Sequence, residues 1–340
     1  MFNAVIGCCT DTGAMKHVDD MTLVSNVSDF EVNSDQKTVL WGPASDIANE
    51  KYDLSMIRGT PQCPALEPAA VEDVINNFSA RDSDVFICTY VKSGTTWTQQ
   101  IVHLLLNDGE QGPKSYAESI PWLEAATSPI LSQWEATGHT IASIEATDGP
   151  RYFKTHASFQ DLPKGSANPK VIYVARNPKD VVVSLYHHAK NKPVFGFTGG
   201  FDKMLHFFME GKCENGSWFK HVLDWHGESK KNANVLYMHY EDMVESPAEH
   251  VERIAKFLNI DASPELIAKV VEKSSLKSMQ KAGVNEEMKK AGITAHIRKG
   301  GAGGWVDWFN VRQNAAFDAV YKELMTGSEL QFNFGAGLVM

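Results

Sequence analysis

The chain lacks the features that mark membrane, secreted and zinc-binding proteins. No run of residues approaches the ~18 consecutive apolar residues of a membrane helix. Residues 1–9 lack the positive charge and the long apolar stretch of a signal peptide. The 5 cysteines show no zinc-binding spacing, and an odd number leaves one unpaired in any disulfide scheme. These absences predict a cytoplasmic protein.

The chain also has too little positive charge to bind polyanions over its whole surface. Its net charge of −10 argues against nucleic acid or an anionic membrane as a general partner. With 340 residues, of which 43% are hydrophobic, the chain is long enough to bury one sizeable core. An acidic protein still binds a polyanion where its cations converge, so the short basic segments are the informative ones.

The most informative segment links two regular elements. Residues 84–88 are rich in β-branched and aromatic side chains and predict a buried strand, and residues 97–106 carry apolar residues at helical spacing. Free backbone N–H groups at such a helix start favour an anion. The loop supplies a cation, a glycine, hydroxyl groups and an indole: Lys92, Ser93, Gly94, Thr95, Thr96 and Trp97. It predicts a phosphate site, and the alternative is a Ser/Thr-rich helix cap with a solvated lysine.

A second segment places another cation at a strand end. Residues 171–175 predict a buried strand, Arg176 follows it, and Pro178 suits the first turn of the next helix. Arg176 and Ser184, further along that helix, can then meet one phosphate. The alternative is an ion pair between Arg176 and Asp180.

A third segment combines two cations with glycines. Arg298 and Lys299 directly precede Gly300, and the chain stays glycine-rich up to Trp305. Glycines let backbone amides turn towards an anion, so the segment predicts a phosphate-binding loop. The alternative for a bare glycine run is a flexible loop.

The residue order of the first loop excludes a Walker A motif, in which the lysine follows the second glycine. The order Lys-Ser-Gly-Thr-Thr-Trp instead resembles the phosphosulfate loop of the cytosolic sulfotransferases, which use 3′-phosphoadenosine 5′-phosphosulfate (PAPS). The three segments occur in that family's order over residues 84–317. The resemblance implies an α/β, P-loop-like nucleotide-binding fold with a central parallel sheet flanked by helices. It also implies that PAPS lies across the carboxyl ends of the strands.

The resemblance also implies the chemistry. Residues 152–156 predict a strand that places Lys154 and His156 on one face, where the family has a supporting lysine and its catalytic histidine. It implies His156 as general base, Lys92 as stabiliser of the leaving group, Lys154 as a second cation and Ser184 as a partner of Lys92. A base that titrates near neutrality is needed because the pKa of an acceptor hydroxyl is far higher. No metal is expected, since protein cations neutralise the product 3′-phosphoadenosine 5′-phosphate (PAP).

The resemblance further implies contacts to the adenine. Trp97 is expected to stack on the base, and Tyr240 and Ser274 match family positions that meet it. Two positions depart from the family pattern. Leu276 stands where the family has a stacking aromatic residue, and Val306 stands where the glycine loop has its final lysine.

The chain divides into an N-terminal extension and one domain. Residues 1–66 are polar and show no strong period, which predicts an irregular or partly disordered segment. The resemblance implies that residues 67–340 form the sulfotransferase domain. The interpretation places His221 and His226 on a helix surface. Helices are expected at residues 68–80, 218–229, 247–258, 264–272 and 313–325.

The expected partner is a small molecule with a hydroxyl or amine group, and neither nucleic acid nor membrane is expected. Apolar residues predict a partly apolar acceptor pocket: Ile120, Pro121, Trp122, Leu123, Phe153, Tyr186, Pro193, Val194, Phe195, Gly196 and Phe197. The family's dimer motif is largely absent near the C-terminus, which predicts a monomer or a weak homodimer. The alternatives to a sulfotransferase are a nucleotide kinase-like phosphotransferase and a non-catalytic protein that binds a 3′-phosphoadenosine nucleotide.

Overall fold

A parallel sheet forms the centre of the molecule. The computed structural model describes residues 51–128, 131, 138–282 and 300–335. The strands in these ranges are β1 (Ser55–Ile57), β2 (Thr60–Gln62), β3 (Val85–Thr89), β4 (Tyr152–Thr155), β5 (Lys170–Ala175) and β6 (Val235–His239). The sheet has the order β4-β3-β5-β6, and its three pairings are all parallel. The predicted parallel sheet is therefore confirmed, and four carboxyl ends meet at one edge.

Helices flank this sheet. In chain order they are α1 (Pro68–Asn77), α2 (Thr95–Leu106), α3 (Tyr116–Ser119), α4 (Ile141–Glu145), α5 (Pro178–Asn191), α6 (Phe201–Met209), α7 (Trp218–Ser229), α8 (Tyr240–Glu245), α9 (Pro247–Leu258), α10 (Pro264–Lys273), α11 (Leu276–Ala282) and α12 (Val311–Leu324). The five helices expected from the sequence are present, with ends shifted by up to three residues. Within the described ranges, no helix has both the length and the apolar character needed to cross a membrane.

The strands alternate their side chains between two apolar layers. Phe86 and Cys88 of β3 belong to one cluster, with the helix residue Trp225, whereas Ile87 belongs to the other, with Ile101 of α2. This alternation follows from the two-residue period of a strand. Both faces of β3 are covered, so all its residues are buried. This burial on both faces explains why the strand sequence is a nearly continuous apolar run.

Residues 51–66 contain regular structure and contribute side chains to the main core, whereas the sequence predicted an irregular segment up to residue 66. β1 and β2 form a hairpin whose two turn residues, Arg58 and Gly59, have φ of 50° and 79°, as a type I′ turn requires. Ile57 and Leu66 are buried in the main core. The hairpin was missed because distant parts of the chain bury it. The prediction for residues 1–50 lies outside the described residues.

Candidate active site

The loop from β3 to α2 forms a cradle at the sheet edge. Gly94 is the N-cap residue that precedes α2; its φ is 106°, and a Cβ atom there would lie 2.7 Å from Cδ2 of Tyr240. Glycine therefore allows a conformation and a close approach that a side chain would prevent. The Ser93 hydroxyl is buried and has no hydrogen-bond partner among the described residues. Such a hydroxyl beside a helix start is suited to an anionic ligand.

Arg176, at the end of β5, connects this cradle to the glycine loop. Its guanidinium donates to the carbonyl oxygens of Lys92, at 3.2 Å, and Gly301, at 3.0 Å. The guanidinium also lies 4.4 Å from the ring centre of Tyr240. The buried Nε has no hydrogen-bond partner among the described residues. The ion pair with Asp180, the alternative considered from the sequence, is present but long, at 3.9 Å, so the arginine retains a donor for a ligand.

Asp180 holds the glycine loop against α5. Its carboxylate accepts from the backbone N–H groups of Gly303, at 2.7 Å, and Trp305, at 3.0 Å. The side chain of Asn177 caps the helix by accepting from the N–H of Asp180, at 2.9 Å. The acid beside Arg176 therefore mainly fixes a loop. Arg298 and Lys299 lie outside the described residues.

One cavity of about 440 Å³ collects most of the predicted site. Its lining includes these predicted residues: Lys92, Gly94, Thr95, Thr96, Trp97, Lys154, His156, Arg176, Ser184, Tyr240, Ser274, Leu276 and Gly300. Ser93 is fully buried beneath the loop and is not part of the lining. Residues from separate segments meet because parallel strands end at the same edge.

His156 follows β4, and its hydrogen bonds fix its tautomer. Its Nδ1 lies 3.0 Å from the carbonyl oxygen of Thr89. A carbonyl only accepts, so Nδ1 carries the proton and Nε2 is left as the basic nitrogen. Burial, and next the ammonium of Lys154, lower the pKa of His156 to about 3 in the free protein. The imidazole is therefore neutral at pH 7.

Two cations lie near this histidine. The Nζ of Lys154 lies 4.8 Å from the ring centre of Trp122, which pairs with β4 as an added bridge. Lys92 adopts a left-handed φ of 70° in the cradle. Burial, and then the charge of Lys192, lower the pKa of Lys92 to about 7. An anion in the cavity would reverse this destabilisation of the ammonium.

The sequence and the fold have clear relatives. Sulfotransferase 1B1 of the dog, Canis lupus familiaris, is 36% identical over 83% of this chain and 96% of its own length. Cytosolic sulfotransferase 1 of Danio rerio is 35% identical over 76% of this chain and 88% of its own length. Residues 82–329 match the family model described as Sulfotransferase domain. The chain belongs to the cytosolic sulfotransferase family.

A solved structure that contains a nucleotide has a fold similar to that of this chain. The structure of retinol dehydratase in a complex with retinol and PAP matches this sulfotransferase with a TM-score of 0.71 and 25% identity. The match covers 89% of this chain and 98% of that one. The protein is thus a sulfotransferase enzyme with the family's α/β fold, and sulfuryl transfer from PAPS is its supported reaction.

Few of the apolar residues that the sequence predicted for the acceptor pocket line the sulfotransferase cavity. Of the apolar residues expected there, Trp122 and Val194 line the cavity. Leu123, Phe153 and Phe195 instead belong to the buried core. The expectation failed because an apolar residue after a strand end packs equally well under the sheet. Charged and small residues contribute instead: Cys63, His188, Lys192 and Glu214.

His221 was wrongly placed on the surface. It is 4% exposed, and its Nε2 donates to the carbonyl oxygen of His156, at 3.2 Å. Its Nδ1 then accepts from the hydroxyl of Tyr173, at 2.8 Å. The signal was available, since Trp218, His221 and Trp225 share one apolar helix face at three- and four-residue spacing. His226 is also half-buried, against Tyr237.

Proposed function

We propose that the enzyme transfers the sulfuryl group of PAPS to a hydroxyl or amine of a small acceptor by in-line displacement, with His156 as general base. One observation carries the proposal. The Nδ1 bond to Thr89 leaves Nε2 of His156 as a base, in the same cavity as Lys92, Lys154 and the cradle. The base, the cations and the proposed anion site therefore border the same cavity.

The residues present fit the nucleotide. The unpartnered donors on Ser93 and Arg176, and the close approach that Gly94 permits, are the features an anionic ligand needs. We assign the 5′-phosphosulfate to the cradle and the 3′-phosphate to Arg176 and Ser184. Trp97, Tyr240, Ser274 and Leu276 would border the adenine, and we assign Arg298, Lys299 and Gly300 to a phosphate of the nucleotide.

The bound co-substrate supplies the sulfuryl group. The acceptor oxygen bonds to sulfur while Nε2 of His156 takes its proton, and the bond from sulfur to the phosphate oxygen breaks. The electron pair stays on that phosphate oxygen, where Lys92 stabilises the charge, and Lys154 offsets charge on the transferring group. The anionic co-substrate also offsets Lys154 and Lys92, which raises the pKa of His156 towards its ordinary range. We infer a metal-free reaction, since these cations neutralise the leaving bisphosphate.

The setting of the enzyme is part of the proposal. We propose a cytoplasmic protein, supported by the family name and by the buried Cys63, Cys88 and Cys213, which form no disulfide within the described residues. We propose a small-molecule acceptor, since the related retinol dehydratase is seen with retinol. Neither nucleic acid nor a membrane is proposed as a partner, and the oligomeric state proposed is a monomer or a weak homodimer.

Nucleotide binding tests the co-substrate class. Calorimetric titration with PAP is compared with titration with ATP and Mg²⁺. We expect tight binding of PAP and weak binding of ATP, because the cradle, Arg176 and Ser184 match two separate phosphate positions. A preference for ATP would contradict the assignment of these elements and favour a kinase-like phosphotransferase.

His156→Ala tests the chemistry. Removing the base should lower kcat by about 10²–10⁴-fold, whereas the Kd for PAP should change little, because the other phosphate-binding residues remain. His226→Ala is the matched control, since this histidine packs against Tyr237 and does not line the cavity. Sulfation rates measured with labelled PAPS check both variants. Equal kcat in His156→Ala and wild type would remove His156 from the mechanism.

A further inference from the structure

Glu214 is a buried carboxylate in the cavity that the proposed chemistry does not use. It is 3% exposed and lines the cavity with His156 and Lys92. Its Oε2 lies 3.3 Å from Nε2 of His188, yet no hydrogen bond of normal geometry reaches this atom from the described residues. A buried polar atom without a well-formed hydrogen bond is destabilising. In a binding cavity, such an acceptor atom indicates that a group of the ligand donates a hydrogen bond to it.

The backbone holds Glu214 in a fixed place relative to the reactive histidine. The turn before α7 is anchored on both sides, because the N–H of Asn215 donates to the carbonyl of Pro61, and that of Lys212 to Phe207, each at 2.8 Å. Asn215 has a left-handed φ of 68°, and its side-chain amide donates to the carbonyl oxygen of His156, at 3.3 Å. The turn that presents Glu214 is thus the one that contacts the residue bearing the base.

The electrostatic surroundings suit a ligand with a donor group. Burial raises the pKa of Glu214 to about 7, and Lys192, then Lys92 and Lys154, oppose this rise. The phosphosulfate would offset Lys92 and Lys154, so a hydroxyl or an ammonium becomes the group that favours the ionised carboxylate. Apolar side chains complete this lining: Cys63, Trp122, Leu131 and Val194.

We propose that Glu214 selects acceptors that carry, on an apolar body, a second hydrogen-bond donor in addition to the group that is sulfated. The donor is a hydroxyl or a protonated amine. This inference rests on the proposed function and assigns Glu214 to acceptor recognition. Because its contact is the same before and during transfer, its loss raises KM more than it lowers kcat.

A matched acceptor series tests this assignment. The probes are para-ethylphenol and its hydroxyethyl and aminoethyl analogues, which differ only in the group at the end of the side chain. In the wild type, kcat/KM should favour at least one of the polar analogues over para-ethylphenol by about tenfold or more. Preference for the hydroxyethyl analogue identifies a hydroxyl donor, and preference for the aminoethyl analogue identifies an ammonium.

Two variants of Glu214 separate the contributions. Glu214→Leu should bring the ratio to about one. Glu214→Gln keeps a carbonyl acceptor without the charge, so it should reduce a preference for the aminoethyl analogue more than one for the hydroxyethyl analogue. The control is Glu210→Gln, because Glu210 pairs with Lys212 at 2.8 Å and does not line the cavity. It should leave the ratio unchanged.

The outcomes separate this inference from the proposed function. PAP binding and turnover of para-ethylphenol report on the proposed function alone. If no phenol is turned over, the three compounds are titrated into the PAP-saturated protein, and the same ratios are expected in Kd. No wild-type preference, or a preference that persists in both Glu214 variants, would overturn the inference. Should Glu214→Leu fail to fold, the aminoethyl ratio of Glu214→Gln decides.

Discussion

At the scale of single residues, the protonation state of Lys92 is expected to depend on whether an anion occupies the cavity. Burial, and after it the positive charges of Lys192, Arg176 and Lys154, lower the pKa of Lys92 to about 7, although the carboxylate of Glu214 opposes this. Lys92 therefore exists as a mixture of ammonium and neutral amine at pH 7. A bound bisphosphate favours the ammonium, so binding and protonation are coupled.

This coupling predicts that PAP binds more weakly as the pH rises. Above about pH 7 the free protein loses the Lys92 proton while the complex retains it, so the affinity should fall by up to about tenfold per pH unit. Below that pH, Lys92 is already charged and its contribution is constant. Calorimetry in buffers of different ionisation enthalpy should show an uptake of protons at about pH 8, of which Lys92 accounts for nearly one.

A variant isolates the lysine from its neighbours. The pKa of Glu214 is also about 7, and its ionisation weakens anion binding over the same range. His156, with its pKa at about 3 in the free protein, does not titrate there. Lys92→Met should bind PAP more weakly and retain only the slope that belongs to Glu214. An affinity for PAP that is independent of pH in the wild type would contradict the assignment to Lys92.

At the scale of elements, the loop from β3 to α2 depends on a contact with α8. Gly94 has a φ of 106°, and its missing Cβ leaves room for the ring of Tyr240. That ring also packs edge-on against Trp97, at 5.5 Å between centres, and lies beneath the guanidinium of Arg176. Tyr240 therefore links the cradle to Arg176, the second proposed phosphate-binding element.

Gly94→Ala should disturb both nucleotide-binding elements. The left-handed backbone costs about 1–3 kcal/mol for a residue with a side chain, and the contact at 2.7 Å forces Tyr240 to move. We expect the variant to be less stable than the wild type. We also expect it to bind PAP at least about tenfold more weakly, a loss of about 1.4 kcal/mol or more, because the displaced Tyr240 contacts both Trp97 and Arg176. Thermal unfolding and calorimetry measure the two effects.

Gly149→Ala is the matched control for backbone strain. Gly149 has a φ of 77°, but nothing lies within 4 Å of the position of its Cβ. It should lose stability and keep its affinity for PAP. If the two alanine variants bound PAP equally well, the contact with Tyr240 would not support the site.

At the scale of the whole molecule, the segment before the main sheet supports the side of the cavity to which we assign the acceptor. The N–H of Asp53 donates to the carbonyl of Phe195, at 2.7 Å, beside the cavity residue Val194. Pro61 accepts from Asn215, in the turn that carries Glu214. We propose that the functional domain begins no later than residue 51.

Two truncations test this boundary. Removal of residues 1–66 should lower the free energy of unfolding by about 3–6 kcal/mol more than removal of residues 1–50, because the buried Ile57 and Leu66 are lost only from the shorter protein. The shorter protein should also lose acceptor turnover. Chemical denaturation measures the difference. Equal midpoints and equal turnover would place the boundary after residue 66.

Strong local signals allowed the parallel sheet to be predicted, and the same kind of signal predicts the phosphate-binding segments. The run at 84–88 had to be a strand, since it is apolar, short and followed by a glycine-containing loop. The hairpin at 55–62 and the burial of His221 depend on partners distant in the chain, which a local pattern does not reveal. The residues predicted to line the acceptor pocket were only partly right for the same reason, because similar apolar residues pack either in the core or around the cavity.

The sequence by itself determined the fold class and the family, because the motif order and strand patterns are local properties of the chain. The tertiary structure decided which nitrogen of His156 is basic, since that depends on the carbonyl of Thr89, 67 residues away along the chain. It also decided that Glu214 is buried beside Lys92 and His188. Charge state and tautomer are set by neighbours in space, and the order of residues along the chain does not specify those neighbours.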